Sequence, residues 1–124
     1  MYSDKKITQL VQYLGKRGVT VWETKGNPKF VGKWDGTGEI HLLANPTELQ
    51  VKHEFSHYLD FRNQINQSAT TQEGVQNYID IDRIGRDQSV LDRLQNNRIW
   101  NQLNDAERSF SIDYVERLKI EAVQ

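Results

Sequence analysis

Asn45-Pro46-Thr47-Glu48 divides the chain into two kinds of sequence. It predicts a helix start, with Asn45 as N-cap, Pro46 at the first helical position where its missing N–H costs nothing, and Glu48 at N3 to close a capping box. Before it, β-branched and aromatic runs are bounded by glycine and proline; after it, apolar residues recur only at helical spacing. Any sheet must therefore be small and built from residues before 45.

The pattern fills in from there. Ile7, Leu10, Val11 and Leu14 fit one face of a helix over 4–14, with Ser3 as its cap. Strands are expected over 19–24, 29–34 and 39–44, the last two joined through Asp35-Gly36-Thr37-Gly38, whose Asp-Gly step suits a tight hairpin. Trp22, Trp34 and Trp100 read as core or sheet-packing residues. The helix from Asn45 should reach about Arg62 on a stripe of Val51, Phe55, Tyr58 and Leu59. The Asn/Gln/Ser/Thr-rich stretch 63–71 reads as a loop. Helical patterns follow over 72–84, with Gly85 as the stop, and over 89–94. After an irregular 96–103 comes a last helix over 105–121, capped by Asn104 and Glu107. The fold class is α+β, a single domain over 1–124 with an N-terminal helix, a three-stranded sheet and C-terminal helices.

Composition narrows the chemistry. Leu, Ile, Val and Phe make up 32 of 124 residues, enough for the chain to fold with a modest core. A net charge of −1 argues against nucleic acid as a partner, since phosphate-binding surfaces carry a basic excess. With no cysteine, thiolate metal sites, disulfides and a cysteine nucleophile are excluded. A metal must be held by histidine and carboxylate. No apolar run approaches the ~20 residues of a membrane span, and Met1-Tyr2-Ser3-Asp4-Lys5-Lys6 has no signal-peptide pattern, so neither a membrane anchor nor a leader is expected.

The chemistry-bearing motif is His53-Glu54-Phe55-Ser56-His57, an HExxH pattern inside the expected helix. Two histidines four apart share a helix face and can converge on one tetrahedral ion. Glu54 lies beside that ion and not on it, where a base must sit to take a proton from metal-bound water. On the helical wheel the histidines point away from the Val51, Phe55, Tyr58 and Leu59 stripe, so one face is expected in the core and the other open to an ion.

Strands followed by an HExxH helix resemble the zincin metallopeptidases. That resemblance implies Zn²⁺, a protein or peptide substrate, and an exposed edge strand just upstream of the helix, here 38–43, which takes up the substrate in extended form by β-augmentation. The stretches Glu73-Gly74-Val75-Gln76-Asn77-Tyr78 and Ser111-Ile112-Asp113-Tyr114-Val115 are further similar to the zincin-like toxin domains at the C-termini of bacterial polymorphic toxins. This narrower likeness implies delivery as part of a larger secreted protein, action in a target-cell cytoplasm, and restraint by a cognate immunity protein.

A catalytic zinc needs a third protein ligand. No histidine follows His57, so a downstream carboxylate, as in gluzincins, is the leading expectation, and Glu73 is the choice. Glu73 also fits N3 of a Thr70 capping box, and Asp80, Asp113 and Glu116 remain as alternatives. The gluzincin pattern has a carboxylate four residues after the ligand, where this chain has Asn77. Asp60, Asn77 and Asp80 are candidates to hold the histidine rings. Tyr78, Tyr114 and His41 are conceivable oxyanion donors that stay outside the catalytic set. The expected function is a zinc-dependent peptidase with metal ligands His53, His57 and Glu73 and catalytic base Glu54; the alternative is a non-catalytic interaction domain with a structural or vestigial metal site.

Overall fold

The computed structural model describes residues 3–123. They fall into two compact units, Met1–Asp80 and Ile81–Gln124. The α+β class is as expected.

The first unit comprises α1 (Asp4–Gly15), β1 (Val19–Glu23), β2 (Lys29–Gly32), β3 (Gly38–Leu42), α2 (Glu48–Asn66) and α3 (Thr71–Asp80). Ser3 caps α1 by accepting from the Lys6 amide at 3.2 Å. The hairpin is present: β2 runs antiparallel to β3, turning at Gly36, whose φ of 87° is the left-handed value that Asp-Gly was expected to supply. Asp35 braces the turn by accepting from the amide and hydroxyl of Thr37, and these bonds hold its carboxyl below the usual carboxylate range.

β3 is not the exposed edge. It lies in the middle of the sheet, in the order β1-β3-β2, paired in parallel with β1 on its other side. The reason is burial. In register, Val21, Ile40 and Phe30 form a row across the three strands, packed with Leu14, Val51 and Tyr58 in one core cluster. A strand that buries Gly38, Ile40 and Leu42 on alternate positions gains most at the centre, flanked by the apolar rows of both neighbours. Trp22 and Trp34 correct a second expectation, being 51% and 55% exposed. Trp22 alternates with Val21 and so shares the outer sheet face with its register partner His41, while Trp34 falls beyond the end of β2 in the turn.

α2 begins two residues later than the sequence suggests. Asn45 takes a left-handed φ of 54°, which an N-cap does not, and Thr47 caps instead, accepting from Gln50 N at 3.1 Å. The helix also runs on to Asn66, shortening the expected loop to 67–70. Ile65 explains the extension: it packs against Phe61, Val75 and Tyr78, so tertiary burial outweighs the indifferent helix propensity of its polar neighbours. α3 approaches α2 closely at Gly74, where an added Cβ would stand 2.3 Å from the Ile65 Cα. No other residue type allows the two backbones so near.

The second unit holds α4 (Arg83–Gln95), α5 (Ile99–Gln102) and α6 (Asp105–Ala122). The single helix expected over 72–84 is broken, because Asp82 accepts from Gly85 N at 2.7 Å and starts α4; Gly85 lies inside a helix and ends none. Val90, Leu91, Leu94, Ile99, Leu103, Val115 and Leu118 are buried. Arg83 donates from α4 to the Tyr114 hydroxyl of α6 at 2.8 Å, and Arg108 of α6 donates to the Trp100 carbonyl at 2.8 Å. α4 also buries an acid the sequence reading did not single out, Asp87, with Arg83 Nε 3.9 Å from its carboxylate. The Asn104–Glu107 capping box forms as read. Among the described residues, no helix is long and apolar enough to cross a membrane.

Candidate metal centre

α2 brings its two histidines together. Four residues advance the helix by slightly more than one turn, and the rings of His53 and His57 lie edge to face with centroids 4.9 Å apart. Their ligating nitrogens come within 4.8 Å of each other. Two nitrogens on one tetrahedral zinc stand ~3.3 Å apart, given bonds of ~2.0–2.1 Å, so a modest rotation about the side-chain bonds closes the gap. The donor set suits a borderline divalent ion: two imidazoles, half-buried, with no competing lysine or arginine between them on the helix.

Glu54 is 5% exposed, and its Oε1 is 3.9 Å from His53 Nε2, too far for a hydrogen bond between those two atoms. The helix is not simply two-faced, however. Glu54 is buried on the same side as Phe61, seven residues on, and the buried arc continues through Val51 and Tyr58 to Phe55 and Leu59. The imidazoles therefore sit at the margin of a buried surface and not on an open face opposite the core. A margin keeps them reachable while lowering the dielectric around their charges.

Tyr78, left outside the catalytic set as a core residue, reaches this pair. Its hydroxyl is 3.4 Å from His57 Nδ1. The spacing Val75/Tyr78 marked it as a core residue, and it is one, 8% exposed against Phe61 and Phe30. Nothing in a single sequence shows that the tip of a core tyrosine ends at a histidine on another helix. Of the residues expected to hold the rings, Asn77 donates to Ser68 Oγ at 3.2 Å and Asp80 accepts from Gln76 at 2.7 Å, while Asp60 is half-buried on α2.

Glu73 occupies the first turn of α3, exposed, with its amide donating to Thr70 Oγ1 at 3.1 Å, which is the helix-start geometry weighed for it. Among the described residues it does not join the groups gathered within ligating distance of His53 and His57. Asp113 and Glu116 lie exposed on α6. The third histidine, His41, is on the outer sheet face, where its Nε2 is 3.0 Å from Glu39 Oε1 and Lys33 stands 3.1 Å from Oε2. The hydrogen bond with His41, and then that with Lys33, holds the Glu39 carboxyl below its usual range.

Comparison with protein-family models, with curated proteins and with solved structures gives no match. His53, Glu54 and His57 must therefore speak for the site by their own chemistry.

Proposed function

We propose that the chain is a zinc-dependent peptidase acting on a protein or peptide. One observation carries the reading: two histidine rings 4.9 Å apart on consecutive helical turns, with a buried carboxylate 3.9 Å from one imidazole nitrogen. His53 and His57, with a carboxylate as third ligand, would hold a divalent ion, which when bound would supply the Lewis acidity that acidifies water and polarises a carbonyl. Glu54 takes the proton of the attacking water and delivers it to the departing amine, a role for which a carboxylate beside the ligands, and not among them, is suited. Main-chain bonding to an extended peptide falls to β1 or β2, since both sides of β3 are already paired.

The test is zinc binding and hydrolysis of a mixed peptide pool, with and without chelator. Glu54→Gln should retain stoichiometric zinc while turnover drops about 10²–10⁴-fold; His53→Ala should lose both. Undiminished hydrolysis by Glu54→Gln overturns the mechanism. Zinc held in a closed shell by a chain that cleaves nothing makes the domain a non-catalytic interaction module instead. Replacing Glu73, Asp80, Asp87, Asp113 and Glu116 one at a time by their amides, and measuring zinc affinity, identifies the third ligand.

We further propose, on the resemblance of its motifs alone, that this peptidase is the toxic part of a larger secreted bacterial protein, acts in a target-cell cytoplasm and is restrained by an immunity protein. Expression inside a bacterial host checks this: growth should stop with the wild-type chain and continue with Glu54→Gln.

A further inference from the structure

A histidine that gives one ring nitrogen to a metal carries its proton on the other, and the partner of that second nitrogen decides which is which. At His57 the second nitrogen is identified by contact: Nδ1 faces the Tyr78 hydroxyl at 3.4 Å, so Nε2 is the nitrogen a metal would take. Three features make this contact a construction. Tyr78 is buried, and its ring is fixed edge-on to Phe61 with centroids 5.4 Å apart and tilted on Phe30 at 6.2 Å. A phenylalanine would fill that cluster equally well, and a buried hydroxyl is costly unless it is bonded. The helix that carries it is set by the Gly74 backbone contact on Ile65, and Tyr78 follows one turn later, so the position of the oxygen derives from a rigid helix pair.

We propose that Tyr78 is a positioning residue: its oxygen accepts the Nδ1–H of His57, which selects the tautomer whose Nε2 lone pair is directed at the cation. The inference rests on the His53–His57 metal reading and extends it to a residue that touches neither ion nor substrate. The opposite polarity, with the phenol donating to Nδ1, would place the ring proton on Nε2 and oppose metal binding, so the two cases are separable by measurement.

The experiment is long-range ¹H–¹⁵N correlation of the histidine rings in the metal-free chain at about pH 8, above the ordinary histidine pKa of ~6.5, with zinc affinity measured by competition against a chelating dye. Wild-type His57 should carry its proton on Nδ1. In Tyr78→Phe it should shift towards the Nε2–H form that imidazoles favour in water, and zinc affinity should fall about 10–100-fold, while circular dichroism and the urea midpoint stay near wild type. A core-packing role alone would move neither the tautomer nor the affinity in so conservative a variant. Wild-type His57 found as Nε2–H overturns the proposal without any variant. Wild-type zinc affinity in Tyr78→Phe overturns it while leaving the metal reading intact, and a wild-type chain that binds no zinc overturns both.

Discussion

Two regions of the first unit combine histidine with glutamate, and they do opposite things with them. On β3, Glu39 and His41 are two residues apart, share one face of the strand, and meet directly at 3.0 Å with Lys33 completing the cluster. Acid and base there satisfy each other. On α2, Glu54 is adjacent to His53, 3.9 Å from its Nε2, and a second imidazole lies with its ring centroid 4.9 Å from that of His53. Two imidazoles cannot neutralise one another, and this pair is the one proposed to share a cation. The same residue types form a surface ion-pair cluster at a spacing of two on a strand and, at a spacing of four on a helix, the ring pair proposed above to hold a cation.

The comparison breaks most visibly by deletion. His57→Ala should cut zinc affinity by roughly 100-fold or more, beyond the loss expected for an outer-shell partner, while His41→Ala should leave it unchanged; titration calorimetry on the two variants decides the matter, and equal losses would erase the distinction. Next in size is Gly74→Ala. Its methyl group meets the Ile65 backbone, which cannot yield as a side chain tip does, so a destabilisation of about 1–3 kcal/mol is expected from urea unfolding. Zinc affinity should decline with it, because the helix bearing Tyr78 must move away.

The smallest effect belongs to the strand cluster. Bonded to His41 and Lys33, Glu39 has its pKa below the ordinary 4.5, so its carboxylate stabilises the fold fully above that value and the contribution fades as the pH drops through the lowered one. Glu39→Gln should therefore lower the thermal midpoint slightly at neutral pH and match wild type in strong acid. Zinc affinity at neutral pH should not respond. A parallel change in affinity would show the two regions to be coupled.

How much of this was legible beforehand depends on the range of the interactions. Local signals held where local chemistry decides: the Ser3 cap, the Asp35-Gly36 turn and the Asn104–Glu107 box all form where the sequence places them. The convergence of His53 and His57 is likewise a property of one helix. Two local signals failed, the Asn45 cap that Thr47 takes over and the helix over 72–84 that the Asp82 cap interrupts; the other errors arose where a distant partner decides. The hairpin identified one neighbour of β3 but not β1 on its far side, because that pairing is set by a shared apolar row and by no turn. Ile65 prolongs α2 through a contact with α3 that no propensity encodes. Trp22 looked like core by composition, and only the alternation around Val21 and Ile40 turns it outward. Tyr78 reaches His57 across 21 residues of sequence, and its side chain alone gave no sign of its address.

The central position of β3 also governs how this molecule meets foreign backbone. A strand bonded on both flanks can template nothing, so growth of the sheet is confined to its two rims, of five residues in β1 and four in β2. Lys29 opens the β2 rim and Lys33 follows its end, charges that discourage a second copy from stacking there. Short rims so flanked resist the runaway addition that leads to fibres.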